Sequence, residues 1–201
     1  MLEKVRDLPG ENLDRAAYHA DFARESDRLT GIIWKLERAQ RFREPHDPSW
    51  QALMAGDWPA ALRVFEDERP ALRTDAQANA DRGTPVRRLR IIEYPISAYV
   101  QWEMQSFRVL AEEGFELRVL KASEVDELEH SAPLPEVVVI AEQILYEVRY
   151  DADWTPIGAR RINDEDAAKR AAIEISELYE RGEPLLDFFH REIAPLPAPK
   201  L

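Results

Sequence analysis

Residues 86–120 read VRRLRIIEYPISAYVQWEMQSFRVLAEEGFELRVL and hold a complete strand–helix–strand unit. In 86–93 the side chains alternate, so Leu89 and Ile91 face one way and Arg88 and Arg90 the other, the period of a strand. Pro95 has no N–H to extend a ladder and ends it. Ser97 is a cap for a helix running to Glu113, and Gly114 is its stop. Residues 115–120 then alternate again as a second strand, which makes a β-α-β unit.

Downstream, the nearly continuous apolar run 137–140 predicts a buried strand. Residues 145–150 and 157–162 predict a hairpin turning at 151–154. Ala168, Ala171, Ala172, Ile175, Leu178 and Tyr179 form one helical stripe, with Asn163 as cap and Gly182 then Pro184 as its end. A short helix around Phe188 and Phe189 precedes a tail containing Pro195, Pro197 and Pro199. Upstream, the pattern predicts a helix over 11–29, then Ile32, Ile33, Trp34, Leu36 and Phe42 as either the end of that helix or a short strand. Helices opened by Pro48 and Asp57 end near Gly56 and Pro70, and a weaker one spans 72–82. The expected fold is α+β: N-terminal helices, then a β-α-β-β-β-β-α sheet domain. Its expected division is a mainly helical region 1–83 packed on the sheet, a sheet domain 84–193 and a flexible tail 194–201.

The 201 residues include 27 basic and 39 acidic side chains, a net charge of −12, and no cysteine. No disulfide, thiolate metal site or cysteine nucleophile is therefore possible. The seven glycines never lie closer than 21 residues apart, which excludes a phosphate cradle or dinucleotide fingerprint. His19, His46, His130 and His190 show no ligand spacing, so neither a metal nor a cofactor is expected. Asp151 and Asp153 read as turn residues rather than cation ligands. The opening MLEKVRDLPG lacks a leader's apolar core and no run approaches a membrane span, so a cytoplasmic, membrane-free protein is expected. The negative charge opposes direct nucleic-acid binding.

Two features carry positive information. Arg82, Arg87, Arg88 and Arg90 form a basic stripe free of acids, suited to an anion or to intramolecular pairing. On the helix, Glu103 continues the apolar stripe of Ile96, Tyr99, Val100, Phe107 and Leu110. A carboxylate there must find a partner, and Arg88 or Arg90 is the natural one. The pair is either a fold-specifying bridge or the floor of a polar pocket lined by Tyr99 and Trp102. The candidate ligand- or partner-binding set is Arg88, Arg90, Glu93, Tyr99, Trp102 and Glu103.

The stretch 82–95 together with Ser97-Ala-Tyr-Val-Gln-Trp-Glu103 resembles the central signature of an uncharacterised actinobacterial domain-of-unknown-function family, often encoded near helix-turn-helix regulators. The resemblance runs from about Leu29 to Phe189, matches more loosely at 150–159, and implies a basic residue where this chain has Gln101. It brings no reaction with it; it implies a helix-turn-helix regulator as a protein partner, which the acidic loop 124–129 would meet. The element order is also similar to half of a phospholipase D-like domain, whose His-x-Lys motif is missing. The resulting expectation is a non-catalytic regulatory or binding module acting on a protein or a small anion. The alternatives are an enzyme using Glu103 as acid or base with Arg88, Arg90 and Tyr99, or a structural homodimer closing on Trp50, Trp58 and the Phe188–Phe189 pair.

Overall fold

The structure, a computed structural model, describes residues 1–200. In chain order its main elements are β1 (Glu11–Asp14), α1 (Arg15–Arg28), β2 (Ile33–Glu37), α2 (Pro48–Met54), α3 (Trp58–Asp81), β3 (Val86–Ile92), α4 (Ala98–Glu112), β4 (Glu116–Lys121), β5 (Val137–Ile140), β6 (Ile144–Tyr150), β7 (Pro156–Ile162), α5 (Glu165–Arg181), β8 (Glu183–Pro184) and α6 (Leu185–Phe188). Among the described residues the strands form one mixed sheet of eight, ordered β1-β7-β6-β5-β2-β3-β4-β8, and the fold is α+β. β2, β3 and β4 run parallel and the remaining pairs are antiparallel. No described helix is long and apolar enough to cross a membrane.

Within 1–83, a strand at 11–14 replaces the expected start of a helix, and the choice left open for 32–42 resolves as a strand. β1 is an edge strand of the sheet, and β2 sits in its middle, between β3 and β5. Ile33-Trp34-Lys35-Leu36-Glu37 alternates like a strand, and Gly31 separates it from α1. The sheet therefore draws on residues well before 84. Pro70 does not end its helix either: α3 runs through it to Asp81. One lost hydrogen bond on an exposed face is outweighed by Ala61 and Phe65, which are buried, and by Arg69 and Arg73, which pair with Glu112 and Glu113 on and beside α4. Asp164, not Asn163, caps α5, accepting from the Ala167 amide at 2.9 Å; Asn163 accepts from Arg161 instead.

α5 covers one face of the sheet, where its Ala168, Ala172 and Ile175 stripe packs on Trp34, Leu36, Leu89, Ile91 and Leu145. The other face carries two separate apolar clusters. One lies under α4, α3 and α6, around Phe65, Trp102, Phe107 and Phe188. The second joins α1 to β5 and β6 through Tyr18, Phe22, Val138 and Tyr146. A polar band runs between them.

α1 is held to β6 and β7 by charge. Asp21 accepts from the Tyr146 hydroxyl at 2.6 Å and from Arg161 at 2.5 Å, and Arg161 reaches Glu25 at 3.0 Å. Burial works to raise the Glu25 carboxyl, but hydrogen bonds from Arg28, Arg161 and Arg24 outweigh it and bring the pKa down to about 2. A carboxyl lowered by folding stabilises the fold above its ordinary value of 4.5 and stops doing so as pH falls toward about 2. α1 should therefore loosen first in that window. Amide hydrogen exchange of α1, followed from pH 5 downward, should rise before that of α5, and Glu25→Gln should flatten the pH dependence; unchanged protection of α1 at pH 3 would contradict this.

Candidate functional site

Alternation along β2 and β3 sends Lys35, Glu37, Arg88 and Arg90 to the two-cluster face, with Lys35 directly beside Arg88 and Glu37 beside Arg90. Parallel strands stand about 4.8 Å apart, so each neighbour is within charge-pairing reach. Glu136 extends the same band at the start of β5. α4 lays Tyr99 and Glu103 over one side of it, and α1 lays Tyr18 over the other. The loop after β2 crosses the top, pinned where Phe42 stacks on Tyr150 with ring centres 4.7 Å apart.

One part of the band is closed. Arg90 is fully buried; its Nε donates to Glu103 Oε2 at 2.7 Å and its Nη1 to the carbonyls of Ile91 and Glu37 at 3.1 and 3.3 Å. Tyr99 donates to Glu103 Oε1 at 3.2 Å. Burial pushes the Glu103 carboxyl up, with Arg90 opposing. Both of its oxygens are engaged, so Glu103 positions the arginine and is poorly placed to exchange protons with a ligand.

The other part is open. Glu37, Glu44, Arg88, Tyr99, Glu103 and Tyr150 are among the residues lining a hollow of about 260 Å³. A second hollow of about 280 Å³ shares Glu37, Glu44 and Tyr150 with it and adds Tyr18, Lys35 and Glu136, with Arg15 and His19 exposed at its rim. Arg88 pairs with Glu37 at 3.2 Å. Burial would raise Glu37, but the charges of Arg88, Lys35 and Arg90 hold it below the usual carboxylate range. Lys35 and Glu44, by contrast, make no side-chain hydrogen bond or ion pair with any described residue. The positive charge of Arg88, then burial, pulls Lys35 down to about 8. Burial, helped by the negative charges of Asp47 and Glu103, pushes Glu44 up to about 7. Glu136 accepts two backbone amides through Oε1, at 2.6 and 2.7 Å, while its buried Oε2 has no partner; burial, against the pull of Arg90, lifts it to about 7. An unpaired base and two carboxyls poised near neutrality, gathered on one concave surface, are suited to gripping a polar ligand and moving its protons.

The six candidate residues divide on this geometry. Arg88, Arg90, Tyr99 and Glu103 come together. Trp102 lines the smaller hollow but is buried and donates to Ser49 Oγ at 2.8 Å, so it serves as wall. Glu93 does not line either hollow: it is exposed, pairs with Arg38 at 2.6 Å and lines a groove of about 750 Å³ that adjoins the hollow at Glu136, Val148 and Tyr150. The basic stripe does not exist as a surface, because alternation sends Arg87 to the α5 face, over Trp34 and against Glu116. Gln101 faces the tail, donating to the Pro197 carbonyl at 2.5 Å, so no charge is missing from the hollow there. Within the acidic loop, Glu129 is not solvated but clamps the buried Arg38 at 2.7 and 2.8 Å. Asp151 accepts from the amides of Asp153 and Thr155, the turn role expected of it. No group of three or more potential metal-ligating side chains occurs among the described residues.

Lys35, Glu37, Glu44 and Glu136 escaped sequence reasoning. The alternation of residues 33–37 was the one available signal, and it points to Lys35 and Glu37. A family model described as "Domain of unknown function (DUF6879)" matches residues 20–190. No curated protein matches the chain.

Proposed function

Because the chain belongs to the DUF6879 family, whose description carries no activity, we propose a function from the site alone: binding of a small polar molecule in the sheet-face hollow. One observation carries this reading. Lys35 and Glu44, half-buried and without partners, line the same hollow, and partial desolvation of such groups costs free energy that a ligand would recover. Charges of both signs favour a molecule with an anionic group and a hydrogen-bond donor over a simple anion. Acid–base chemistry on the bound molecule is compatible with the site, with Lys35 and Glu44 rather than Glu103 as the exchanging groups.

Thermal unfolding against a panel of amino, hydroxy and oxo acids tests the proposal. A ligand at about a hundred times its Kd stabilises by about 2.7 kcal/mol, which for a chain of this size raises Tm by about 5–10 °C. That rise is expected in the wild type and should vanish in Lys35→Met/Glu44→Gln. A panel that shifts neither protein, or both equally, would defeat it.

A further inference from the structure

We infer that Lys35 is a nucleophilic amine that forms an imine with a small oxo acid held in the hollow; the inference rests on the binding reading above and deepens it. The half-buried Lys35 lines this open hollow from the centre of the sheet, where the ladder on both sides fixes its backbone. It has no carboxylate of its own, since Glu37 is taken by Arg88. A half-buried ammonium beside another cation loses its proton more readily, which is how a lysine becomes a nucleophile near neutral pH. Arg88 faces it from β3, Glu37 from its own strand, Glu136 from just before β5, Tyr150 from β6, Tyr18 and the rim residues Arg15 and His19 from α1, and Glu44 from the crossing loop, with the charge of Glu103 on α4 also acting on it. Arg15 forms no ion pair with any described residue and lines the same hollow from its exposed rim, so it is available to the carboxylate of an oxo acid.

The chemistry balances with groups already present. The Lys35 Nζ lone pair forms the N–C bond, the carbonyl π pair moves to oxygen, and a proton passes from nitrogen to that oxygen, giving a carbinolamine. The Glu44 carboxyl then protonates the hydroxyl. The nitrogen lone pair closes the C=N bond, the C–O bond breaks, and one water leaves. The protonated imine faces the Glu44 carboxylate, and no oxidant or reductant is needed.

Glyoxylate, the smallest oxo acid, is the probe. The folded wild-type protein is incubated with it and sodium cyanoborohydride at pH 7.5, and the reduced adducts are located by peptide mass spectrometry. Lys35 should be modified at least about tenfold faster than Lys4, Lys121 and Lys169, and Glu44→Gln should slow Lys35 alone. Uniform modification of the lysines, or a spared Lys35, would overturn the inference. A spared Lys35 with a glyoxylate-induced rise in Tm that Lys35→Met/Glu44→Gln abolishes would leave binding standing and remove only the imine.

Discussion

Glu103→Ala should lower the stability of the protein by about 3–5 kcal/mol, because it strands a buried guanidinium without its counter-charge. Arg90 has no exposed surface, its Nη2 already lacks a partner, and its remaining bonds go to two backbone carbonyls. Neither carbonyl neutralises a full charge in a low-dielectric interior. The Tyr99 hydroxyl loses its acceptor in the same step. Urea unfolding monitored by tryptophan fluorescence measures the effect. Glu103→Gln keeps the shape and one acceptor, which Arg90 Nε can still use, and should cost less. The double replacement Arg90→Met/Glu103→Leu should recover most of the loss, because a buried pair exchanged for apolar side chains of similar volume is often neutral or better. A Glu103→Ala protein as stable as the wild type would mean that Arg90 finds water or another carboxylate, Glu136 or Glu37.

That pair was readable in the sequence because its signal is periodic. A single carboxylate on an otherwise apolar helical stripe, next to a strand of alternating arginines, leaves few arrangements that satisfy both. The strand–helix–strand unit, the 145–162 hairpin and α5 were readable for the same reason: each repeats its pattern over several turns or alternations. β2 was hidden by its length. Five residues give barely two alternations, too few to decide between a helix end and a short strand beside the helix signals on either side. With that stretch left open between helix end and short strand, Lys35 and Glu37 had no assigned face to share with Arg88 and Arg90. Glu44 carries no periodic signal at all. It faces the hollow because Phe42 seats its loop against Tyr150, a contact between residues more than a hundred positions apart. Glu129 is hidden in the opposite way: it belongs to the acidic loop expected to meet a partner, and only the fold shows that Arg38 needs it.

Gly158→Ala should be the most damaging change at the rim of the hollow. The glycine has φ +140°, and a Cβ there would stand 2.0 Å from the Leu13 carbonyl oxygen and 2.8 Å from the carbonyl carbon of Asp14. Those atoms belong to β1, which pairs with β7 through Asp14 and Gly158. Backbone held in a ladder cannot yield by rotating a side chain, so β1 must leave its place. Asp14 is also the cap of α1, accepting from the Ala17 amide at 2.8 Å, and the start of that helix would move with it. The clash and the left-handed backbone together should cost roughly 3 kcal/mol. Gly56→Ala separates the two contributions: its φ is +78° but nothing lies within 4 Å of the added carbon, so only about 1 kcal/mol of conformational strain is expected. The functional consequence follows from what α1 carries. Arg15, Tyr18 and His19 form one side of the hollow, so Gly158→Ala should abolish the ligand-induced rise in Tm while Gly56→Ala preserves it. Equal losses of stability in the two variants, with ligand response retained in both, would show that β1 is not what holds that wall in position.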